Sequence, residues 1–515
     1  MLWLLACTSP DAPAPLDLPV HHLTFGGDTI VGENLNLALA DEDVRAAMFV
    51  DVAGLLRDAD VTLLNSEGVI SGGGRIADKG EARPHLYRAR PAMMGVLAAA
   101  GVDVLAGANN HSGDYGPDAL REHLDLARVA GLDYAGVGHD LADARTPAYR
   151  KVGDTVLAII GADLTDTALF AARPDRPGSL ALPLARAVDE LAPLVAEARK
   201  HAQVVLLTPH WGDNGKTAPT EALRDAGRAL IGVGFDGILG HSAHVPQGVE
   251  LVDGKPIVYD AGNFLAGHSG TGDQGSAVLY DVAFTRAGVV SVRAVPIAMR
   301  AARVGSGTAA DLATWQERTR ALGTPVDGDA VSCDPGGVLG PEGTPDPPAR
   351  PVPAAVREAP RDAIVDALPE GVTPAAVRWE NGVSLVGYHL VAKDLRVPKA
   401  GQVFDLYFRA EGPVSANLMV SLEGRGNVLD REDHTPGDWM LPGDEWPPGA
   451  LIHDRSLMRL LGDPTGAVRF ALNLRDGRTL VKVATSDLPL ERGVILGEAS
   501  YVPGAPRLFE LPEMK

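Results

Sequence analysis

The sequence predicts an α/β domain followed by an all-β domain. Between about Val20 and Pro296, short apolar runs rich in Val, Ile and Leu alternate with helix-like segments, which is typical of a sheet covered by helices. From about Val377 to Val502, apolar and polar residues alternate every second position, as they do in half-buried strands. A chain of 515 residues is also too long for one ordinary core. We therefore expect two or three domains.

Turn and capping signals place the elements of the α/β domain. Pro91 and Gly101 bracket one helix, and Gly131 ends a second. Thr217 is a candidate N-cap for a third helix. The predicted helices cover residues 91–100, 117–130 and about 218–231. The predicted strands cover residues 23–25, 61–64, 102–106, 156–160, 204–208, 237–239 and 257–259.

Shifts in composition divide the chain into four segments. The stretch 334–354 is rich in proline and has little periodicity, which indicates an extended linker. Beyond it, runs such as 403–408 and 468–474 alternate like strands, and turn signals separate them, which favours a β-sandwich. The predicted segments are a signal and tether over 1–19, the α/β domain over 20–309, a linker and connector over 310–376, and a β-sandwich accessory domain over 377–515.

Composition and charge exclude several classes of protein. The chain has 46 basic and 67 acidic residues and a net charge of -21, which repels nucleic acid and anionic membrane surfaces. We therefore expect no nucleic-acid partner. Its two cysteines, Cys7 and Cys333, are too few for a disulfide scaffold or a cysteine-based zinc site. No apolar run approaches the roughly 20 residues that a transmembrane helix needs.

The first residues resemble a bacterial lipoprotein signal. Leu4-Leu5-Ala6-Cys7 matches the pattern in which a cysteine after a small residue is acylated and becomes the mature N-terminus. The apolar stretch before Cys7 is shorter than a normal signal and lacks basic residues, so a late start or a chance match is the alternative. We expect a lipid anchor to the membrane at Cys7 and an extracytoplasmic location at the cell envelope.

Polar residues follow five of the predicted strands. Because ligands of open α/β sheets bind beyond the carboxyl ends of the strands, we expect these side chains to converge. Carboxylate, imidazole and amide groups together suit divalent first-row metals such as Mn, Fe or Zn. The alternative for each residue taken alone is a turn former or a hydrogen-bonded histidine. The residues at these strand ends are Asp28, Asn65, Glu67, Asn109, Asn110, His111, His210, His241 and His244.

Six short motifs, taken in order, resemble the bacterial capsule-synthesis CapA family. They cover about Leu23 to Ile297, a little over half of the chain. The family is tied to poly-γ-glutamate capsule production and is related to calcineurin-like metallophosphoesterases. The resemblance therefore implies a metallophosphoesterase sandwich, in which β-sheets are flanked by helices. The motifs are Gly27-Asp28, Asn65-Ser66-Glu67, Asn109-Asn110-His111 with Asp114-Tyr115-Gly116, His210-Trp211-Gly212, Gly240-His241-Ser242-Ala243-His244 and Tyr259-Asp260-Ala261-Gly262-Asn263-Phe264.

The family pattern implies a role for each matching residue. Glu67 is the best candidate to bridge two divalent ions. His111 matches the histidine that faces the substrate as general acid or transition-state donor, and Asp114 would orient it. Two departures are Ile30, where metallophosphoesterases have a histidine, and Ser242, where many relatives have one. The implied metal ligands are Asp28, Glu67, Asn110, His210, His241 and His244.

Further residues are predicted to contact a substrate or polymer. A locally basic loop over residues 79–87, after a glycine-rich turn at 72–74, offers cationic side chains to a phosphate or carboxylate, with a solvated loop as the alternative. Packing is the alternative for Trp211. In the C-terminal region, Trp439 and Trp446 are candidates for contact with a saccharide or polymer, with core packing as the alternative. The predicted substrate-binding residues are Asn65, Lys79, Arg83, His85, Trp211 and Asn263.

These observations leave two hypotheses for the function. In the first, the protein is a metal-dependent hydrolase of capsule biosynthesis that acts outside the cytoplasm on a phosphorylated or polyglutamate-like substrate. In the second, it is a non-catalytic envelope scaffold that helps to assemble or export an anionic polymer. Capsule-assembly proteins are expected partners in both cases.

Overall fold

The structure, a computed structural model, describes most of the chain. Cys7 and Arg83 lie outside the described residues, as does most of the proline-rich stretch, so the expectations placed on them stay predictions. The described residues are 18–32, 34–77, 79, 85–165, 168–336, 350, 363–391, 402–426, 429–437, 439–458, 466–501 and 508–510.

The helices belong to residues 18–336, which we call the α/β part. Among the described residues, no helix is both long and apolar enough to cross a membrane. Short 3-10 turns cover Ala168–Phe170, Leu184–Arg186 and Gly272–Gly275 in this part, and Gly443–Glu445 near the C-terminus. The α-helices are α1 Leu35–Ala40, α2 Glu42–Ala47, α3 Ala53–Arg57, α4 Ala92–Ala100, α5 Gly116–Val129, α6 Leu141–Ala144, α7 Ala187–Ala198, α8 Glu221–Gly232 and α9 Ala309–Ala321.

The strands of the α/β part form two main mixed sheets. The strands are β1 His21–Ile30, β2 Val61–Glu67, β3 Val69–Ile70, β4 Arg88–Ala89, β5 Val104–Ala106, β6 Asp133–Ala135, β7 Val137–Gly138, β8 Ala148–Val152, β9 Thr155–Asp163, β10 Gly178–Ser179, β11 Val204–His210, β12 Gly237–Leu239, β13 Val249–Val252, β14 Lys255–Val258, β15 Asn263–Leu265, β16 Ser276–Thr285, β17 Gly288–Arg300, β18 Arg303–Ser306 and β19 Ala330–Ser332. The first sheet has the order β18-β17-β16-β1-β2-β5-β6, with β15 beside β1 and β19 beside β17. The second has the order β13-β14-β12-β11-β9-β8.

The α/β part has four layers: helices, the first sheet, the second sheet and further helices. The alternation of side chains along the central strands explains them. Successive residues of a strand point to opposite sides of its sheet. In β2, Leu63 packs in the core between the two sheets, whereas Leu64 packs in the core under α1, α4 and α5. In β11, Leu206 faces the core between the sheets and Leu207 faces α7 and α8. Because these strands are buried on both faces, they appear in the sequence as continuous apolar runs.

Each of the predicted strands overlaps an observed strand, and the three predicted helices correspond to α4, α5 and α8. Gly101 ends α4 with a φ of 99°, a left-handed conformation that suits glycine. The N-cap of α8 is Thr220, whose side chain accepts a hydrogen bond from the Leu223 N–H, and not Thr217 as predicted. Pro219 explains the difference, because the residue before a proline is disfavoured in the helical region.

The α/β part extends beyond the boundary predicted at residue 309. Helix α9 begins with a capping box, in which the Thr308 and Asp311 side chains each bond the other's backbone N–H. Trp315 of this helix is buried in the core between the sheets. Strand β19 then pairs with β17. Residues that were expected to be a connector therefore complete the first sheet and cover it.

The C-terminal part, residues 363–510, consists of strands in two sheets that share one core. Its strands are β20 Ile364–Val365, β21 Thr373–Trp379, β22 Val383–Val391, β23 Gln402–Ala410, β24 Leu418–Arg425, β25 Leu429–His434, β26 Leu451–Met458, β27 Gly466–Asp476, β28 Thr479–Leu480, β29 Val483–Ser486, β30 Val494–Tyr501 and β31 Leu508–Glu510. One sheet has the order β20-β26-β23-β22-β21-β29, and the other β25-β24-β27-β30-β31 with β28 beside β27. The rings of Phe404 and Phe470, one from each sheet, lie 5.3 Å apart in the shared core.

An ion pair joins the α/β part to the C-terminal part, and a cavity lies between them. Arg90 Nη2, just after β4, lies 2.8 and 2.7 Å from the two carboxylate oxygens of Glu445. A cavity of about 550 Å³ lies between the parts and is lined by residues of both, including Arg75 and Tyr407. The C-terminal part thus contacts the segment that leads into and out of the loop after β3.

The position of the α8 cap can be tested by substitution. We expect Thr220→Ala to lower the free energy of unfolding of the α/β part by about 0.5–2 kcal/mol, because it removes the acceptor for the Leu223 N–H. Thr217→Ala is the matched control and should leave stability unchanged. Chemical denaturation followed by circular dichroism would measure both. Equal effects of the two substitutions would contradict the assignment.

Candidate metal centre

The carboxyl ends of strands from both sheets meet at one edge of the α/β part. Asp28 lies near the end of β1, and Glu67 is the last residue of β2. From the second sheet, His210 ends β11 and forms an isolated β-bridge with His241, which follows β12. Polar residues from separate strand ends therefore come together, as the sequence suggested.

Two groups of three side chains could each hold an ion, and they share Asp28. In each group the ligand atoms lie within 4.8 Å of one another. One oxygen of Asp28 lies 3.8 Å from His241 Nδ1, and the other lies 3.0 Å from His244 Nδ1. The shared carboxylate is thus Asp28, whereas the sequence favoured Glu67 as the bridge. The groups are Asp28 with His210 and His241, and Asp28 with Glu67 and His244.

The donor set fits a divalent cation. Asp28, Glu67, His210 and His241 are each at most 1% exposed. Glu67 Oε2 and Asn110 Oδ1 are buried atoms for which the described residues provide no hydrogen-bond donor. Buried polar atoms are rarely left without a partner. Glu67 belongs to one of the ligand groups, so a cation bound there would satisfy its free oxygen, and oxygen and nitrogen ligands of this kind suit first-row divalent metals.

Burial and neighbouring charges shift the ionisation of these groups. Burial lowers the pKa of His241 to about 4 and, with the adjacent His241, holds the pKa of His210 well below its usual range. Burial raises the pKa of Glu67 to about 7, and the charge of Asp28 acts in the same direction. Burial opposes protonation of His244, but the carboxylates of Glu67 and Asp28 outweigh it and raise its pKa to about 10. These carboxylates therefore favour the protonated form of His244 while no metal is bound, and a divalent cation would supply the positive charge in its place.

The turn that carries two of the histidines has an unusual backbone. Ser242 has a φ of 114° and His244 a φ of 62°, both in the left-handed region. Such conformations cost on the order of 1–3 kcal/mol per residue and persist only where the surroundings impose them. Here the Ser242 N–H points at Asp28 Oδ2, 3.3 Å away. This backbone conformation places His241 and His244 on either side of the Asp28 carboxylate.

Three asparagines orient the ligands. Asn65 Nδ2 donates to Asp28 Oδ1 at 2.7 Å, and Asn109 Nδ2 donates in turn to Asn65 Oδ1 at 3.2 Å. Asn263 Oδ1 lies 2.9 Å from His244 Nδ1. Groups that fix the direction of a metal ligand in this way strengthen metal binding. Asn65 and Asn263, predicted to contact substrate, instead contact the predicted ligands.

His111 forms a dyad with Asp114 beside the ligand groups. His111 Nδ1 lies 2.7 Å from Asp114 Oδ2, and His111 Nε2 lies 3.7 Å from Glu67 Oε1. The Tyr87 ring lies against His111, with centroids 4.2 Å apart and the ring planes tilted by 30°, and the Tyr87 N–H donates to Asp114 Oδ2. Lys79 Nζ lies 3.1 Å from Asp114 Oδ1. The predicted pairing of His111 with Asp114 is therefore present in the geometry.

Comparison with known proteins identifies the region that carries this site. The family described as bacterial capsule synthesis protein PGA_cap matches residues 22–268, which include every predicted metal ligand. This α/β region belongs to the PGA_cap family. The recognition of the CapA family from the sequence motifs is thereby confirmed.

The chain is similar to curated proteins of three bacteria. It is 30% identical to the PGA biosynthesis protein CapA of Bacillus subtilis over 259 residues, 50% of this chain and 66% of that protein. It is 33% identical to a probable polyglutamine synthesis accessory protein of Mycobacterium tuberculosis over 220 residues, 41% of this chain and 57% of that protein. It is 26% identical to the capsule biosynthesis protein CapA of Bacillus anthracis over 258 residues, 50% of this chain and 62% of that protein. The chain thus spans about three fifths of the length of these relatives.

Several residues of the PGA_cap region lie elsewhere than the sequence suggested. The Lys79 side chain is only 2% exposed and faces Asp114, so it supports the dyad rather than an open basic loop. His85 is exposed, and its carbonyl accepts from Lys79. Trp211 is buried in the core outside the second sheet, where its Nε1 donates to the Tyr259 carbonyl. Its direction follows from alternation, because the residue after His210 points to the other side of the strand end.

The tryptophans of the C-terminal part do not form an exposed aromatic surface. Trp446 is 8% exposed and packs in the core between the two C-terminal sheets. Its Nε1 donates to the Leu441 carbonyl. Trp439 is half-buried, with its ring 6.1 Å from that of His434. Packing, the alternative considered from the sequence, describes Trp446.

Tyr87 is the main residue of the site that the sequence motifs missed. It lies outside every motif and contributes to the dyad both a backbone donor and a ring that packs against His111. The signal in the sequence was the pair of glycines that Tyr87 packs against. A Cβ at Gly68 would lie 2.6 Å from Tyr87 Cβ, and a Cβ at Gly32 would lie 2.9 Å from Tyr87 Cα. Two glycines are thus required where this segment crosses β1 and β2.

The two ligand groups predict different effects of removing different ligands. We expect Asp28→Asn to abolish binding of both ions, because Asp28 belongs to both groups. His210→Ala should weaken only one ion, because His210 belongs to one group. Metal content after reconstitution with Mn²⁺, measured by elemental analysis, gives the stoichiometry of each variant.

His22→Ala is the matched control for these variants. His22 is an exposed histidine at the other end of β1 and pairs with Asp281. It should bind metal like the parent protein. Retention of a full equivalent by Asp28→Asn would contradict the shared role of Asp28.

Proposed function

We propose that this protein is an accessory protein of capsule or polyglutamate synthesis that acts at the cell envelope. The match to the PGA_cap family and the names of the similar proteins support this proposal. The matched residues include both ligand groups and the His111–Asp114 dyad. The part of the molecule that matches the PGA_cap family is therefore also the part that contains the candidate metal centre.

Within that role, the α/β part acts as a metal-dependent hydrolase of the metallophosphoesterase type. The observation that carries this proposal is the pair of ligand groups that share Asp28, with a histidine dyad beside them. The layering of two stacked sheets between helices supports the same fold type. Two neighbouring cations and an adjacent proton donor together catalyse the hydrolysis of phosphate esters and acyl compounds in many enzymes.

Each residue of the site has a part in this reaction. Asp28, Glu67 and the three histidines would hold the metal, with Asn110 Oδ1 as a further donor. A metal bound there would polarise the scissile group and lower the pKa of water. His111 Nε2 lies on the ligand side, while Asp114 fixes Nδ1. His111 can therefore pass a proton to a leaving group at the edge of the metal site.

The approach to the site favours a substrate that reaches it from the side of His111 and His244. Their side chains are 8% and 13% exposed, whereas those of Asp28 and His241 are fully buried. A phosphate ester or a polyglutamate-like amide would present its oxygen there. Because the net charge of the protein is -21, its surface as a whole repels such an anion, and a cation held by the ligand groups would supply the attraction.

Replacing His111 distinguishes the hydrolase hypothesis from the hypothesis of a non-catalytic scaffold. We expect His111→Ala to retain metal and thermal stability but to lose about 10²- to 10⁴-fold in rate, because a general acid is removed while the ligands remain. Hydrolysis of a phosphodiester such as bis(p-nitrophenyl) phosphate with Mn²⁺ measures the rate, and elemental analysis measures the metal.

His22→Ala again serves as the control and should hydrolyse the ester at the parent rate. A His111→Ala variant as active as the parent would refute the assigned role, and loss of metal would make His111 a ligand. A parent protein that binds metal but hydrolyses neither phosphate esters nor polyglutamate would favour the scaffold, whose property to assay is binding of the polymer.

The location at the envelope rests in part on acylation of Cys7. We expect metabolic palmitate labelling of the full-length protein in a bacterial host, and we expect Cys7→Ser to abolish it. Cys333→Ser is the matched control, because Cys333 lies at the end of the α/β part and packs against its core. Labelling that persists in Cys7→Ser, or that never occurs, would remove the anchor from the proposal.

A further inference from the structure

The strained turn of His241 to His244 is attached to a carboxylate that belongs to neither ligand group. We propose that Asp260 is a positioning residue, which sets the metal affinity of both groups by holding this turn, without itself contacting the ions. The inference rests on the metal centre proposed above. It assigns a role to a motif residue that the ligand set leaves without one.

The Asp260 carboxylate joins the segments on either side of the site. Asp260 is fully buried, just beyond β14. Its Oδ2 accepts the Ala243 N–H at 2.6 Å, and its Oδ1 accepts the Gly262 N–H at 2.7 Å. Ala243 stands directly before His244 in the turn. One side chain therefore fixes the turn of the histidines relative to the segment that enters β15.

The second contact extends this control to the shared ligand. The Gly262 carbonyl accepts the Asp28 N–H at 3.0 Å. The next residue, Asn263, pairs with Asp28 in the sheet and lies 2.9 Å from His244 Nδ1. Asp260 is thus linked through Gly262 to Asp28, which belongs to both groups, and through Ala243 to the neighbouring His244. A shift of its carboxylate would move both groups together.

The backbone of the turn explains why such a residue is needed. Ser242 and His244 occupy the left-handed region, with φ values of 114° and 62°. Residues other than glycine adopt this region only where their surroundings impose it. The Ser242 N–H points at Asp28 and the Ala243 N–H at Asp260, so two buried carboxylates hold consecutive amides. Without Asp260 the turn loses one of these two anchors.

A carboxylate is the side chain that this position requires. Two N–H groups approach Asp260, one at each oxygen. An asparagine of the same shape has one acceptor oxygen and one NH₂ group, so it would set a donor against one of the two amides. Asp260→Asn therefore breaks one contact with almost no change in volume. The substitution tests the contact rather than the packing.

Asp236 is a matched control for the general effect of losing a buried carboxylate. It is 7% exposed, and its Oδ2 accepts the Val205 N–H at 2.8 Å. It also pairs with Arg199 and Lys255. Asp236 stands just before β12, at the end of the second sheet opposite to the ligands. Asp236→Asn should lower stability without changing the metal site.

The experiment compares the full-length parent, Asp260→Asn and Asp236→Asn. Each is titrated with Co²⁺ and followed by visible absorption, and its thermal midpoint is measured without metal. For Asp260→Asn we expect about 10- to 100-fold weaker binding of both ions, the usual effect of losing a group that orients ligands, and an altered Co²⁺ spectrum. For Asp236→Asn we expect a lower midpoint with the parent affinity and spectrum.

The outcomes distinguish the inference from its alternatives. Parent-like affinity and spectrum in Asp260→Asn would overturn it, as would an equal loss of affinity in Asp236→Asn, which would make affinity follow general stability. If Asp260→Asn does not fold, Asp260→Ser, which keeps one acceptor, is measured in the same way. A parent that binds both ions but hydrolyses nothing would refute the proposed hydrolase and leave the role of Asp260 standing.

Discussion

A fully buried carboxylate, Asp28, imposes the arrangement of the rest of the site. A carboxylate removed from water is costly unless donors or cations surround it. Asp28 accepts hydrogen bonds from Asn65 Nδ2 at 2.7 Å and from the Ser242 N–H at 3.3 Å. Its Oδ2 also lies 3.0 Å from His244 Nδ1. These contacts come from β2 of the first sheet and from the loop that follows β12 of the second sheet. The two sheets must therefore meet at this edge in one relative position for the charge to be matched.

That position requires glycine immediately before Asp28. A Cβ at Gly27 would lie 2.0 Å from the Gly262 carbonyl oxygen, which is closer than any side-chain atom can approach. The same carbonyl accepts the Asp28 N–H, so β1 and the entry to β15 touch backbone to backbone. A larger residue would displace Asn263, and with it the contact to His244. The glycine is thus part of the ligand geometry although it carries no ligand.

Strand periodicity made the location of the site predictable, but not the direction of each side chain. Parallel strands end at a common edge, so the polar residues at or just beyond the ends of β1, β2, β5, β11 and β12 could be expected to meet. Whether Asn65 faced a substrate or Asp28 depended on the register of β1 with β2, where these two residues stand side by side. Which carboxylate is shared depended on the spacing of the two sheets, which no single strand encodes. Helix α9 was missed for a related reason, because it buries only Trp315 and Thr319 and so shows little amphipathic pattern.

The dyad is placed by a different part of the chain from the ligands. The Arg75 N–H donates to the Tyr115 carbonyl and the Ala77 N–H to the Asp114 carbonyl, so the segment after β3 runs directly behind the dyad. The same segment lines the cavity shared with the C-terminal part. Where the chain returns, Tyr87 supports His111, and three residues later Arg90 is paired with Glu445. The two candidate ligand groups are therefore held by the ends of both sheets and by the turn after β12, whereas His111 is held by a segment that also contacts the C-terminal part. The contacts that support the dyad thus continue to the C-terminal interface.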